Sequence, residues 1–219
     1  TLACLVDDPK DISYIAPLRS LVNELFYDTI SPVWKKITSL ISALLKSQTI
    51  SIPYFYSSKL QSEIDRFLDR NEIDIVFCSS SPSAQYIFQS RHYRGKLQNS
   101  QWIMDFIDMD SLKWRQYAEK QNIFLHTIYK REAKYLLKYE HRITEEFSEN
   151  LIVSQTEKNL FKSFFHEANI TAISNGVDLV FFNPAHISTL PKTHISLVFT
   201  GAMDYWPNIE GTVWFVENI

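Results

Sequence analysis

Apolar and polar positions along this chain follow two alternating rhythms. Short, nearly continuous apolar runs (TLACLV, ELFYDTI, IDIVFC, WIMDFID, LIVS, ITAIS and ISLVF) read as strands. Between them lie stretches with a 3.6-residue period. SPVWKKITSLISALLK opens on Ser31-Pro32 and repeats apolar residues at Ile37, Leu40, Ile41, Leu44 and Leu45. SSKLQSEIDRFLDRN sets Leu60, Ile64, Phe67 and Leu68 on one side, and HTIYKREAKYLLKYEHRITEEF carries Ile128, Leu136, Tyr139, Ile143 and Phe147 as an inner stripe. PKDISYIAPLRSLVNEL and SLKWRQYAEK are expected as further helices. SSSPSAQYI offers a helix start, and Ser154 to Glu157 forms a capping box ahead of another helix. Strand and helix alternate with no hairpin signal. This predicts an α/β fold, a Rossmann-like, mostly parallel sheet with helices on both faces.

That architecture directs attention to the carboxyl ends of strands, where such folds bind ligands. Asp7 and Asp8, Ser79 to Ser81, Asp105 to Ser111, Ser154, Asn175 to Asp178 and Gly201 to Asn208 all fall there. Glycine sharpens the choice, because the chain has only four against an ordinary share of about 7%. Gly176 and Gly201 each close an apolar run, and Asn175-Gly176 is expected to make a tight turn with positive φ.

Composition narrows the chemistry. A formal charge of −3 gives no global attraction to nucleic acid. Cys4 and Cys78 sit inside apolar runs and read as buried free thiols. No Cys/His cluster has metal-ligand spacing, and no Gly-x-Ser-x-Gly, HExxH, P-loop or GxGxxG motif occurs. The six histidines avoid strand ends and read as surface or structural residues. Asp105, Asp108 and Asp110 form an acidic cluster in which Asp105 and Asp108 would face opposite sides of a strand. They could orient sugar hydroxyls, accept a proton, or bind a metal with partners from elsewhere, or Asp108 or Asp110 could simply cap the following helix. Lys113 and Trp114 follow one turn later as a polar and aromatic pair, with a core role for Trp114 equally open. Trp34, Lys35, Lys36 and Lys46 surround an apolar helix face that could lie on an anionic membrane or pack on a core. The N-terminal segment lacks the features of a signal peptide, and no apolar run is long enough to span a bilayer.

Several segments together resemble a known family. VSQTEKNLF, ISNGVDLVFFNP and LVFTGAMDYWPNIEGTVWF are similar to the interdomain segment of family 4 retaining glycosyltransferases. DFIDMDSLKWRQYA, YKREAKYLLKYEHRI and TGAMDYWPN resemble the sugar transferases associated with bacterial exopolysaccharide and PEP-CTERM (exosortase) clusters. The resemblance implies the GT-B arrangement of two Rossmann-like domains with a cleft between them. Residues 1–185 would be the acceptor-side domain, lacking the family's first strand and its Gly-rich loop. Residues 186–219 would be a linker and the first strand and helix of the donor-binding domain, making the chain an N-terminal fragment. Where many members carry His-Asp the chain has Ile107-Asp108, and Ala202 and Asn208 replace residues that are often basic.

The activity so implied is transfer of a sugar, with retention, from a nucleotide-sugar to a glycan or lipid-linked acceptor in exopolysaccharide or other cell-surface polysaccharide synthesis. The setting would be cytoplasmic, with peripheral membrane contact through Trp34, Lys35 and Lys36. No metal and no cofactor beyond the nucleotide-sugar substrate is expected. Asp108 and Asp110 are the catalytic candidates, and Ser80, Asp105, Lys113 and Trp114 the acceptor-side ones. Asn175, Gly176, Asp178, Gly201, Tyr205 and Asn208 are the donor- or hinge-side candidates. These residues alone are expected to be inactive. The competing reading is a non-catalytic Rossmann-like module that binds a partner or a membrane surface.

Overall fold

In the computed structural model, residues 1–30, 48–183, 185, 197–203 and 205–219 are described. The amphipathic segment bearing Trp34, Lys35, Lys36 and Lys46 lies outside them. The chain divides into two compact units, Thr1–Asn175 and Gly176–Ile219.

The first unit holds six strands, all in parallel pairings. Strand β1 (Leu2–Val6) leads through a 3₁₀ turn (Pro9–Tyr14) and α1 (Ile15–Arg19) to β2 (Leu25–Thr29). Helices α2 (Ser51–Tyr54) and α3 (Ser58–Arg70) precede β3 (Ile75–Ser79). A second 3₁₀ turn (Ser81–Ala84) and α4 (Gln85–Phe88) lead towards β4 (Gln101–Asp105). Then come α5 (Asp110–Glu119), α6 (Ile123–Glu146), β5 (Glu149–Ile152), α7 (Gln155–Phe164) and β6 (Ile170–Ala172). The strands form two sheets, β1-β2 and β3-β4-β5-β6. This is the expected α/β, Rossmann-like class.

Side-chain caps set several helix starts. Ser57 Oγ accepts from Leu60 N at 3.1 Å, Asn122 Oδ1 from Leu125 N at 3.1 Å, and Ser154 Oγ from Glu157 N at 3.1 Å. One face of the four-stranded sheet carries the core. Cys78, Trp102, Met104 and Ile152 alternate inwards and pack with Phe106, Ile143, Phe147 and Phe161. Helix α3 joins both sheets: Phe67 meets Phe26 of β2 edge-on at 5.8 Å, while Ile64 and Leu68 pack with the cluster around Val76 and Cys78.

The helix start expected at Ser81-Pro82 is present, as one 3₁₀ turn followed by a single α turn. Three other sequence expectations change here. The helix expected from Pro9 onwards is a 3₁₀ turn plus a short α-helix that stops at Arg19; Pro17 inside it cannot donate to the ladder. Strand β6 ends at Ala172, short of Gly176, and Leu197–Thr200 belong to no strand. No glycine among the described residues has positive φ. Asn175-Gly176 therefore makes no left-handed turn.

In the second unit, α8 (Trp206–Asn218) follows a turn at Gly201–Tyr205. Among the described residues, no helix is long and apolar enough to cross a membrane.

Candidate functional site at the carboxyl ends of β3 and β4

Strands β3 and β4 run in register, Ser79 opposite Asp105, so their carboxyl ends lie side by side. Each strand then breaks at a non-glycine residue with positive φ, Ser80 (φ 67°, ψ 144°) and Ile107 (φ 64°). Sparsely populated backbone of this kind costs on the order of 1–3 kcal/mol and concentrates at functional sites. Hydrogen bonds hold both breaks. Ser80 N donates to Asp105 O at 2.7 Å, and Ser83 N to Ser80 O at 3.0 Å. Ile107 N donates to Asp105 Oδ1 at 3.1 Å, and Asp108 N to Phe106 O at 2.7 Å. Phe106 anchors the second break, buried against Phe161 at 4.9 Å.

The two turns bring five of the expected residues together. Ser80 and its neighbour Ser81 come from the first turn, and Asp105, Asp108 and Asp110 from β4 and the turn that follows it. Ser81 Oγ donates to Asp110 Oδ2 at 2.6 Å. Lys113 Nζ lies 2.7 Å from Asp108 Oδ2 and 3.9 Å from Asp110 Oδ1. The result is a partly exposed shelf with three carboxylates, the Ser80 hydroxyl and one ammonium, a donor and acceptor set suited to hydroxyl-rich ligands, with the buried Ser81 fixing Asp110 from beneath. Asp105 and Asp108 do not alternate across one strand as expected, because the strand ends at Asp105 and Ile107 turns the chain. Among the described residues, no three His, Cys, Asp or Glu side chains come together in a metal-holding group.

Trp114 stands apart from this shelf. Its ring packs edge-on to Tyr129 at 4.9 Å and near Tyr117 at 6.5 Å, so it belongs to the α5–α6 contact. Neither Asp108 nor Asp110 supplies an N-cap for α5. The N-cap residue is Met109, which has no side-chain acceptor. Glu140 of α6 takes over that role: it accepts from Ser111 N at 3.0 Å and from Ser111 Oγ at 2.6 Å while fully buried. Burial lifts the Glu140 carboxyl to about 7, the Ser111 hydrogen bonds pull it back, and Asp110 pushes it up further. Two turns earlier, buried Glu132 does the same for α2, accepting from Ile50 N at 2.6 Å, Ser51 N at 2.9 Å and Ser51 Oγ at 2.7 Å. Sequence reasoning passed over both glutamates. The available signal was their position, since Glu132, Leu136, Glu140 and Ile143 share the helix's inner stripe.

The donor- and hinge-side candidates divide differently. Gly201, Tyr205 and Asn208 form one turn in the second unit. Tyr205 N donates to Ala202 O at 3.2 Å, and Asn208 Nδ2 donates to Ala202 O at 3.0 Å. A Cβ on Gly201 would stand 2.9 Å from both Asn208 Nδ2 and Phe199 Cε1, so this glycine serves close packing. Asp178 Oδ1 accepts from Val180 N at 2.9 Å and Phe181 N at 3.0 Å, a local turn. Gly176 has open space around it, and Asn175 closes the first unit.

Three of the described histidines take structural partners. His92 Nε2 contacts Asp69 Oδ1 at 3.0 Å, His126 Nδ1 contacts Ala118 O at 2.7 Å, and His141 pairs with Glu145 at 3.4 Å. Both cysteines are free. No family model, no curated protein and no solved structure matches this chain.

Proposed function

We propose that this protein is a retaining sugar transferase that uses a nucleotide-sugar donor and a glycan or lipid-linked acceptor, in the making of a bacterial cell-surface polysaccharide. The observation that carries the reading is the shelf at the β3 and β4 carboxyl ends, where Ser80, Asp105, Asp108, Asp110 and Lys113 converge on two strained turns. Its role would be on the acceptor side. Carboxylates and hydroxyls accept and donate to sugar hydroxyls in a fixed pattern, and Asp108 or Asp110 lies where a hydroxyl proton could be relieved. Glycosyl transfer with an oxocarbenium-like centre is governed by positioning and electrostatics, and a rigid rim of charged groups supplies both. The resemblance of NGVD and TGAMDYWPN to family 4 transferases supports the same assignment and gives the second unit to the donor side.

The test is a screen of the protein for donor hydrolysis or transfer over UDP-, GDP- and ADP-sugars. Turnover of at least one donor is expected. Absence of turnover with all three donor classes would overturn the reading.

A further inference from the structure

We propose that the corner between α5 and α6 docks on an anionic membrane surface, Ile123 and Phe124 entering the headgroup–acyl boundary while a lysine stripe on α6 rests on the lipid phosphates. These are not the Trp34, Lys35 and Lys36 expected from the sequence. Ile123 and Phe124 are 89% and 74% exposed, although they open a helix whose later apolar residues Leu136 and Ile143 are buried. Their exposure is not that of a loose end. Asn122 Oδ1 caps the helix by accepting from Leu125 N at 3.1 Å, and His126 Nδ1 contacts Ala118 O at 2.7 Å. The second contact ties the first turn of α6 to the last turn of α5. Behind the corner, Trp114 packs edge-on against Tyr129 at 4.9 Å. A fixed corner therefore holds two large apolar side chains out in water.

Charge is arranged around the same corner. Ile123, Thr127, Lys130, Lys134 and Lys138 recur every three or four residues, so they share one face of α6, and all five are exposed. Ala133, Leu136, Glu140 and Ile143 are buried on the other side, which turns the lysine stripe outwards. At 1.5 Å per residue the stripe runs about 22 Å from Ile123 to Lys138. Arg115 and Lys120 add exposed cations from the α5 side. Between residues 113 and 138, all of them described, Glu119 is the one exposed carboxylate. The chain as a whole carries a formal charge of −3, so this face departs from the average in sign.

The two features together select the partner. Lysines alone would suit any polyanion, nucleic acid included. Ile123 and Phe124 gain nothing from a phosphate layer and need an apolar medium just beyond it. A bilayer surface supplies both, because a side chain buried by about 5–10 Å reaches the acyl boundary while flanking cations stay at the headgroups. Each lysine close to an anionic leaflet strengthens attachment about fivefold, and its long stem lets the ammonium stay in the wet layer as the helix settles.

The test is co-sedimentation of the protein with vesicles of phosphatidylcholine alone and of equal parts phosphatidylcholine and phosphatidylglycerol. It needs no sugar donor and no turnover, so it stands or falls separately from the transferase reading. Binding to the anionic vesicles is expected, at least about tenfold tighter than to the neutral ones. Paired Lys130→Glu and Lys134→Glu should weaken it at least about tenfold, and paired Ile123→Ser and Phe124→Ser by a similar factor. All four side chains are exposed, so both paired variants should melt within about 2–3 °C of wild type. Absence of binding to anionic vesicles would overturn the proposal. So would binding that the Ile123 and Phe124 changes leave intact, which marks a general polyanion surface, or binding lost only on Lys35→Glu with Lys36→Glu.

Discussion

Replacing Glu140 with glutamine should remove a specific part of the protein's pH dependence. Glu140 is fully buried and holds α5 through Ser111 N and Oγ. Its carboxyl is raised from 4.5 to about 7, chiefly by burial. Between those values the folded state binds more protons than the unfolded chain, so stability is greatest below 4.5 and falls as pH rises through 7. The separation of 4.5 and about 7, at about 1.4 kcal/mol per pH unit, amounts to on the order of 3 kcal/mol. For a domain of this size that is roughly 6–12 °C in melting temperature. The substituted amide cannot ionise. The variant carries a constant cost for turning an amide donor towards Ser111, and it loses the slope. Thermal melts of wild type and Glu140→Gln at half-unit steps from pH 5 to 8 should therefore converge as pH rises. A melting difference that stays constant across that range would refute the reasoning.

Ile107→Gly should be neutral or stabilising by up to about 1 kcal/mol, unlike an ordinary Ile→Gly change, because Ile107 sits at φ 64° and is 43% exposed; denaturant melts decide it. Glu132→Ala should cost about 2–4 kcal/mol, since three donors at Ile50 and Ser51 lose their acceptor inside the fold; urea titration measures the loss. Under native conditions a thiol reagent should modify Cys4 well before Cys78, whose buried thiol is pushed up to about 11; mass spectrometry of the labelled protein reads the order.

Much of the fold was legible because its signals are local. Parallel strands such as Ile75–Ser79 appear as apolar runs, although Ile75 and Phe77 are exposed, and Ser57 and Ser154 mark helix starts by residue type alone. The shelf residues were legible for the same reason: Ser80 and Asp105 to Asp110 fall at or near the carboxyl ends of predicted strands. What escaped depends on distant partners. That Met109 needs no cap of its own is known only once Glu140 is seen beside Ser111, 29 residues before it. That Ser80 and Ile107 adopt positive φ without glycine reflects neighbours which fix them, Asp105 above all. Asn175-Gly176 misled in the opposite direction. Its intrinsic turn preference is real, but among the described residues every strand pairing is parallel and no hairpin uses it.

The central proposal is that the β3–β4 shelf handles a sugar substrate, and the most direct measurement is turnover of the protein carrying Asp108→Asn. The Lys113–Asp108 pair is more than a third exposed on both sides and should contribute less than about 1 kcal/mol to stability, so folding is preserved and function is isolated. The account predicts that wild type transfers sugar with the donor's anomeric configuration retained, and that Asp108→Asn reduces the rate on the order of 100-fold with its melting temperature within about 2–3 °C. Undiminished transfer by the variant, or transfer with inversion, would contradict it.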